Sequence, residues 1–292
     1  MKPIFTGVAT AVITPFTEGG TLDLARFDGQ IRRQLDAGID GLVVCGTTGE
    51  CPTIGFEERC LLIEKAVKLG RGNIPVIAGS GSNDTEKALE LGRSAEMLGA
   101  DAHLVVTPYY NKTSQEGLVR HFFYLADRLK KPIIVYNIPS RTGVAIKPET
   151  YARLAEHPNI TGVKEADYTE FPQKKSVCPD EFHFWSGNDD MTLPMMSLGG
   201  MGVISVVSNL CPEVMVEITN AAMTGNFVKA ASIQKKYTKL MSAMFVDVNP
   251  IPVKTAMKIL GFDCGKLRLP LCEMSTEAEN QLMQEMKKVN LL

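Results

Sequence analysis

Long apolar runs, a basic stripe and metal-ligand spacings are all missing from this sequence, and histidine is scarce. No stretch of about 18 uninterrupted apolar residues occurs, so no membrane-spanning helix is expected. The opening Met1-Lys2-Pro3-Ile4-Phe5-Thr6-Gly7 has no apolar segment before a small-residue cleavage site, which argues against a secretory leader. The 31 basic and 33 acidic side chains nearly cancel, to a formal net charge of −2, and are scattered along the chain. A phosphate backbone would find no basic face to bind, so nucleic acid is not an expected partner. His103, His121, His157 and His183 stand alone, without metal-ligand spacing. The 7 cysteines (Cys45, Cys51, Cys60, Cys178, Cys211, Cys264 and Cys272) are odd in number and include no Cys-x-x-Cys pair. Dispersed thiols in a chain this large read as reduced residues of a cytoplasmic protein, and a metal enzyme is disfavoured.

What is present is an ordinary globular balance, 45% hydrophobic and 22% charged, over 292 residues. Short apolar runs recur at Gly7–Ile13, Gly41–Cys45, Pro75–Gly79, Ala102–Val106, Ile133–Tyr136, Ile160–Val163, Phe182–Trp185 and Gly202–Val207. Each is short enough for a strand and apolar enough to be buried on both faces, as parallel strands are. Helical periods lie between them: Phe56, Cys60, Ile63 and Val67; Ala88, Leu91, Ala95 and Leu98; Leu118, Phe122, Leu125 and Leu129. Thr113-Ser114-Gln115-Glu116 predicts a capping box before the third, and Asn83 or Asp84 an N-cap before the second. Eight strand–helix units match a closed (β/α)8 TIM barrel better than an open doubly wound sheet. After Asn209 the strand signal stops. The expected division is an α/β barrel over residues 1–224 and a small C-terminal helical extension over 225–292.

In such a barrel the chemistry sits at the carboxyl ends of the strands. Ile160-Thr161-Gly162-Val163 runs directly into Lys164, and strand alternation puts Ile160, Gly162 and Lys164 on one face. Taken alone, a strand-end lysine is ordinarily a solvated charge. Inside the barrel, with the small Gly162 leaving room for its stem, it would lose its proton readily and attack a ketone. Tyr136 ends the preceding strand, close enough for its phenol to move protons at that amine, although a lone tyrosine there is usually core. Gly46-Thr47-Thr48-Gly49-Glu50 offers hydroxyls and closely spaced N–H groups that suit a carboxylate. It lacks the Gly-Lys-Ser/Thr of a phosphate loop, and no Gly-x-Ser-x-Gly elbow occurs. Arg141, in the loop after Tyr136, is either a surface charge or a bidentate carboxylate partner. Cys45 and Cys51 flank the threonine loop with no neighbouring cation in the sequence, and read as inert packing.

Together these residues resemble the dihydrodipicolinate synthases, members of the pyruvate aldolase superfamily that includes N-acetylneuraminate lyase. The likeness spans nearly the whole chain. It is carried by Gly46-Thr47-Thr48-Gly49-Glu50, Thr107-Pro108-Tyr109-Tyr110-Asn111, Tyr136-Asn137-Ile138-Pro139-Ser140-Arg141-Thr142-Gly143, Gly162-Val163-Lys164-Glu165, Gly202-Val203-Ile204-Ser205 and Asn249-Pro250-Ile251-Pro252-Val253-Lys254. The resemblance implies that pyruvate forms an imine on Lys164, with no cofactor, and that the derived enamine condenses with L-aspartate 4-semialdehyde. It implies Tyr136, Thr47 and Tyr110 as a proton relay, Tyr110 coming from a neighbouring subunit of a homotetramer built as a dimer of dimers. Thr48, Gly187 and Ile204 would hold pyruvate, and Arg141 the semialdehyde carboxylate.

Within the superfamily, neuraminate lyases resemble Gly-Ser-Thr-Gly-Glu at the first motif and lack the arginine loop, so the synthase is the leading expectation. The alternatives are a sugar-acid aldolase, of neuraminate-lyase or keto-deoxy-sugar-acid type, and a non-catalytic barrel. Lysine-inhibited members carry a serine, histidines and a glutamate around an effector site. Here Cys51, Phe56, Arg59 and Lys87 stand in those places, although Asn83 and Tyr109 are kept. Lys87 would repel an ammonium group, and weak or absent feedback by L-lysine is expected.

Overall fold

A computed structural model of the chain describes residues 2–292. Its strands are β1 (Gly7–Ala11), β2 (Gly41–Val44), β3 (Val76–Gly79), β4 (Ala102–Val106), β5 (Ile133–Asn137), β6 (Ile160–Glu165), β7 (His183–Ser186) and β8 (Gly202–Ser205). All pair in parallel with their sequence neighbours, and β1 closes on β8, so the sheet is a barrel without edges. The helices are α1 (Leu24–Asp36), α2 (Phe56–Gly70), α3 (Thr85–Met97), α4 (Gln115–Ala126), α5 (Pro139–Thr142), α6 (Pro148–Leu154), α7 (Phe171–Ser176), α8 (Thr192–Ser197) and α9 (Pro212–Met223) around the barrel. Three more helices follow: α10 (Phe227–Ala243), α11 (Ile251–Ile259) and α12 (Thr276–Lys288). The fold is thus the expected closed barrel with C-terminal helices. No helix among the described residues is long and apolar enough to cross a membrane.

Strand alternation divides the core in two. Ala9, Val43, Ile77, Leu104, Ile134, Tyr136, Trp185 and Ile204 fill the barrel interior. The other strand faces pack on the helices, as Val8, Leu42 and Val44 do on Phe27, Ile31, Leu62 and Ala66. At the amino-terminal end Phe5 stacks on Trp185, centroids 5.1 Å apart, and its carbonyl accepts the indole N–H at 3.2 Å. Each fully buried Phe or Leu side chain contributes about 1.5–3 kcal/mol by leaving water, which lets two such layers hold polar groups at the top of the barrel.

Local signals placed the helices well, with two corrections. In α2 the inward stripe is Arg59, Leu62, Ile63 and Ala66, while Phe56 is 43% exposed and Cys60 only half-buried. Arg59 displaces the expected stripe because its guanidinium hydrogen-bonds inward, to the carbonyls of Gly79 (2.6 Å) and Cys51 (3.2 Å). Before α4 the capping box does not form. Ser114 is the N-cap, accepting from Gly117 N, and Glu116 turns outward to Arg120 and Arg153. Asp84 caps α3 as expected, accepting from the N–H groups of Glu86 and Lys87.

Strands β5 and β6 run further than their apolar stretches, to Asn137 and Glu165. Buried polar residues persist there because they satisfy one another. Glu165 accepts from Asn137 Nδ2 (2.8 Å), Tyr151 OH (2.6 Å) and Asp167 N (2.8 Å), and Lys174 Nζ lies 3.5 Å away. Lys164 therefore lies within a strand instead of just past its end.

Candidate active site

Register alone brings the first two candidates together. Tyr136 and Lys164 are paired across β5 and β6, and both side chains are buried, Lys164 to 5% exposure. The Lys164 Nζ lies 4.5 Å from the centroid of the Tyr136 ring. Burial strips the ammonium of water and lowers its pKa to about 8. The buried carboxylate of Asp189 opposes that shift, and the Arg141 guanidinium adds to it. Burial pushes the Tyr136 phenol well above its ordinary range, partly offset by Arg141 and by Thr47.

Gly162 does face the interior, but the lysine stem does not occupy its space. A Cβ there would lie 2.1 Å from the His183 carbonyl oxygen and 2.9 Å from the Trp185 ring, so glycine is required by the neighbouring strand and the indole.

The threonine loop follows β2 as a single 3-10 turn, Thr47–Gly49, flanked by left-handed residues Cys45 and Glu50, each at φ 57°. The amides of Gly49, Glu50 and Cys51 are taken by the carbonyls of Gly46 and Thr47, while Thr47 and Thr48 line the cavity above Lys164. Left-handed backbone at a non-glycine residue is costly and persists where surroundings over-determine it. Here the buried Glu50 carboxylate accepts from Lys254 Nζ at 2.7 Å and from Arg268 N at 3.1 Å. Lys254 also bonds the carbonyls of Thr14 (3.2 Å) and Lys266 (3.0 Å). The segment that carries α11 thus clamps the loops at the carboxyl-terminal end of the barrel strands.

Arg141 lies on the α5 turn and donates through Nη2 to the Asn249 carbonyl at 3.1 Å. Asn249 Nδ2 in turn donates to Thr48 Oγ1 at 3.0 Å, and its Oδ1 is buried without a partner. The result is a cavity of about 840 Å³ lined by Thr47, Thr48, Tyr136, Arg141, Lys164 and Gly187, with Phe245 to Asn249 forming one wall. A glycine is needed at 187 because a Cβ would lie 2.9 Å from both the Glu165 carbonyl oxygen and the Ala166 Cβ.

Two candidates stand apart from this group. Ile204 belongs to the barrel-interior layer with Tyr136 and Trp185 and is not among the cavity's lining side chains. Tyr110, at φ 68°, is 90% exposed and is not among the residues that line this chain's own cavity. Of the two nearby thiols, Cys45 is fully buried and its pKa is pushed up to about 12, and burial also raises that of Cys51. Contrary to the sequence reading, a cation does adjoin them: Arg59 lowers both, but desolvation outweighs it.

Sequence reasoning passed over Asp189. It accepts from the Ser205 hydroxyl and from the N–H groups of Val206 (3.1 Å) and Val207 (3.0 Å), joining the loop after β7 to the loop after β8. Burial raises its pKa, opposed by those donors and by Lys164. Its only local signal is an aspartate just past a strand end, and nothing local says that it is buried. The places of Asn249 and Asp247 at the cavity wall were equally hidden: Asn249 entered only as part of a motif carrying the family resemblance, and nothing local puts either residue there.

The chain is similar to known proteins over nearly its whole length. Residues 4–289 match the profile of the dihydrodipicolinate synthetase family. A 4-hydroxy-tetrahydrodipicolinate synthase from Fervidobacterium nodosum is 47% identical over 292 residues, covering 99% of this chain and 100% of its own. The crystal structure of dihydrodipicolinate synthase from Thermotoga maritima superimposes with a TM-score of 0.96 at 45% identity, covering 99% of this chain and 100% of that one. A structure described as a monomeric dihydrodipicolinate synthase variant also has a TM-score of 0.96, at 46% identity, covering 99% of this chain and 98% of its own.

Proposed function

The chain belongs to the dihydrodipicolinate synthetase family and works as a 4-hydroxy-tetrahydrodipicolinate synthase; on that premise we propose that Lys164 carries the reaction as a Schiff base. One observation bears most of the weight: a lysine amine with its pKa lowered to about 8, buried beside a tyrosine in a cavity open to small acids. Near neutral pH a useful fraction of that amine is unprotonated and can attack the keto carbon of pyruvate. Water leaves, and the imine forms. Protonated, it draws electrons from the methyl carbon, which loses a proton to give an enamine. The enamine carbon bonds to the aldehyde carbon of L-aspartate 4-semialdehyde. The amine of that substrate then adds to the imine carbon and displaces Lys164, closing the ring.

In this reading the pyruvate carboxylate rests on Thr47 and Thr48, with Gly187 leaving it room and Ile204 forming the floor below. Tyr136 and Thr47, which line the same cavity, pass the protons on and off the carbinolamine. Arg141 holds the semialdehyde carboxylate at the mouth. Tyr110 completes the relay from a neighbouring subunit, which its 90% exposure favours, and the assembly we propose is a homotetramer made of two dimers. The free thiols suit a cytoplasmic setting. Feedback by L-lysine is weak or absent. Arg59 is buried in hydrogen bonds to carbonyls, and Lys87 is paired with Glu90 at 2.8 Å, 5.6 Å above the Phe56 ring, so this face holds cations where an ammonium ligand needs anions.

Borohydride reduction in the presence of pyruvate tests the central step. It should add a three-carbon acid to Lys164 and to no other lysine. Turnover should be far greater with L-aspartate 4-semialdehyde than with N-acetylmannosamine or glyceraldehyde, and millimolar L-lysine should leave the rate within about twofold. Labelling elsewhere, or full activity in Lys164→Ala, would remove the Schiff-base route.

A further inference from the structure

The proposed reaction leaves one group of the second substrate without a partner. L-Aspartate 4-semialdehyde carries an ammonium beside its carboxylate, and Arg141 can hold only the carboxylate. Two acidic side chains line the cavity, Asp190 and Asp247, and neither makes an ion pair with a lysine, arginine or histidine among the described residues.

Their places in the fold distinguish them. The carboxylate and ammonium of an α-amino acid sit on one carbon, about 3 Å apart, so their protein partners must adjoin. Arg141 follows β5 and Asp190 follows β7, with β6 between; two strand spacings amount to about 10 Å. Asp247 lies instead on the segment to which Arg141 is directly bonded, two residues before Asn249, whose carbonyl accepts Arg141 Nη2 at 3.1 Å. Its Oδ1 accepts from Val248 N at 2.6 Å, which orients the carboxylate and leaves Oδ2 for a ligand. Phe245, Val246 and Val248 stand around it as a partly exposed apolar lip, which lowers the local dielectric and strengthens an ion pair made there.

We propose that Asp247 is the ammonium-recognising, specificity-determining residue for the second substrate, forming with Arg141 a clamp for a zwitterionic α-amino acid across the Asn249 link. The inference rests on the synthase reading and deepens it. It gives the C-terminal helical segment a task in substrate selection: the barrel supplies the groups that handle pyruvate, and the α10–α11 connection selects the amino-acid aldehyde.

The test compares L-aspartate 4-semialdehyde with succinic semialdehyde, which keeps the carboxylate and aldehyde and lacks the amine. Asp247→Asn retains the Oδ1 acceptor for Val248 N, so the loop should hold its shape. In this variant KM for L-aspartate 4-semialdehyde should rise about fivefold, the loss of a partly solvated ion pair. The pyruvate KM, borohydride trapping on Lys164 and inhibition by succinic semialdehyde should each stay within about twofold. Arg141→Lys should weaken both aldehydes together. An Asp247→Asn enzyme that loses both aldehydes equally, or neither, overturns the assignment. So does a selective loss that appears in Asp190→Asn instead. Failure of the synthase reading itself would look different, because the wild type would then neither trap pyruvate nor consume the semialdehyde.

Discussion

Lys164 meets Tyr136 through the face of the ring, Nζ 4.5 Å from its centroid, and Thr47 lines the same cavity. A ring face attracts an ammonium ion modestly. Burial is the larger effect and holds the lysine pKa down to about 8. No hydrogen bond joins the phenol oxygen to the amine among the described residues, an arrangement that suits the relay we propose on the carbinolamine.

Imine formation should follow the titration of that amine. Measured as borohydride trapping under conditions where capture is fast, its rate should climb from pH 6 to about 8 and then level off. Arg141→Met removes a positive neighbour and should move the inflection upward. Asp189→Asn removes the opposing negative charge and should move it downward. A flat profile across this range would contradict the assignment of the nucleophile.

The same shift has a stability consequence. The folded pKa of Lys164 is below the ordinary value of 10.5, so the fold disfavours the protonated form. The cost is full below pH 8 and disappears as pH rises through the window from 8 to 10.5. Lys164→Met should therefore abolish activity and stabilise the protein at pH 7 by about 3 kcal/mol, a gain that shrinks toward zero near pH 11. Urea denaturation at the two pH values checks both magnitude and sign.

Breaking the Glu50–Lys254 pair should be severe. Each carboxylate and ammonium is buried, and removing Lys254 alone leaves Glu50 without its cation. Lys254→Met should cost about 3–5 kcal/mol. Adding Glu50→Gln to it should cost less than the sum of the two single changes, because the second substitution removes the stranded charge. Equal and additive losses would show that the pair is not the unit.

If Tyr110 acts across subunits, two inactive variants should rescue one another. Tyr110→Phe subunits retain Lys164, and Lys164→Met subunits retain Tyr110. Dissociated, mixed in equal amounts and reassembled, they should regain about a quarter of wild-type activity, since half the dimers are mixed and each has one complete site. No recovery would place the tyrosine outside the relay.

Much of this was legible in the linear chain. The eight apolar runs, Asp84 before α3 and the Leu118–Leu129 stripe are local patterns, and local sterics and burial write them directly. Strand alternation also put Lys164 and Gly162 on the interior face. Where sequence reasoning slipped, a distant partner had intervened. Arg59 turned the α2 stripe by bonding the carbonyl of Gly79, and Glu116 left its expected box for Arg153 on α6.

The order of hydrophobic runs, the parallel barrel they imply, and the side chains at each strand end are set by residues a few positions apart. Whether those side chains are charged, how they are oriented, and what encloses them are set by groups far away. Asp189 restrains the titration of Lys164 from the next strand's loop, and Asn249 reaches Thr48 from 201 positions along the chain. Lys254 holds Glu50 from 204 positions away. Electrostatic and hydrogen-bonding energies depend on separation in space, and only the closed fold assigns those separations.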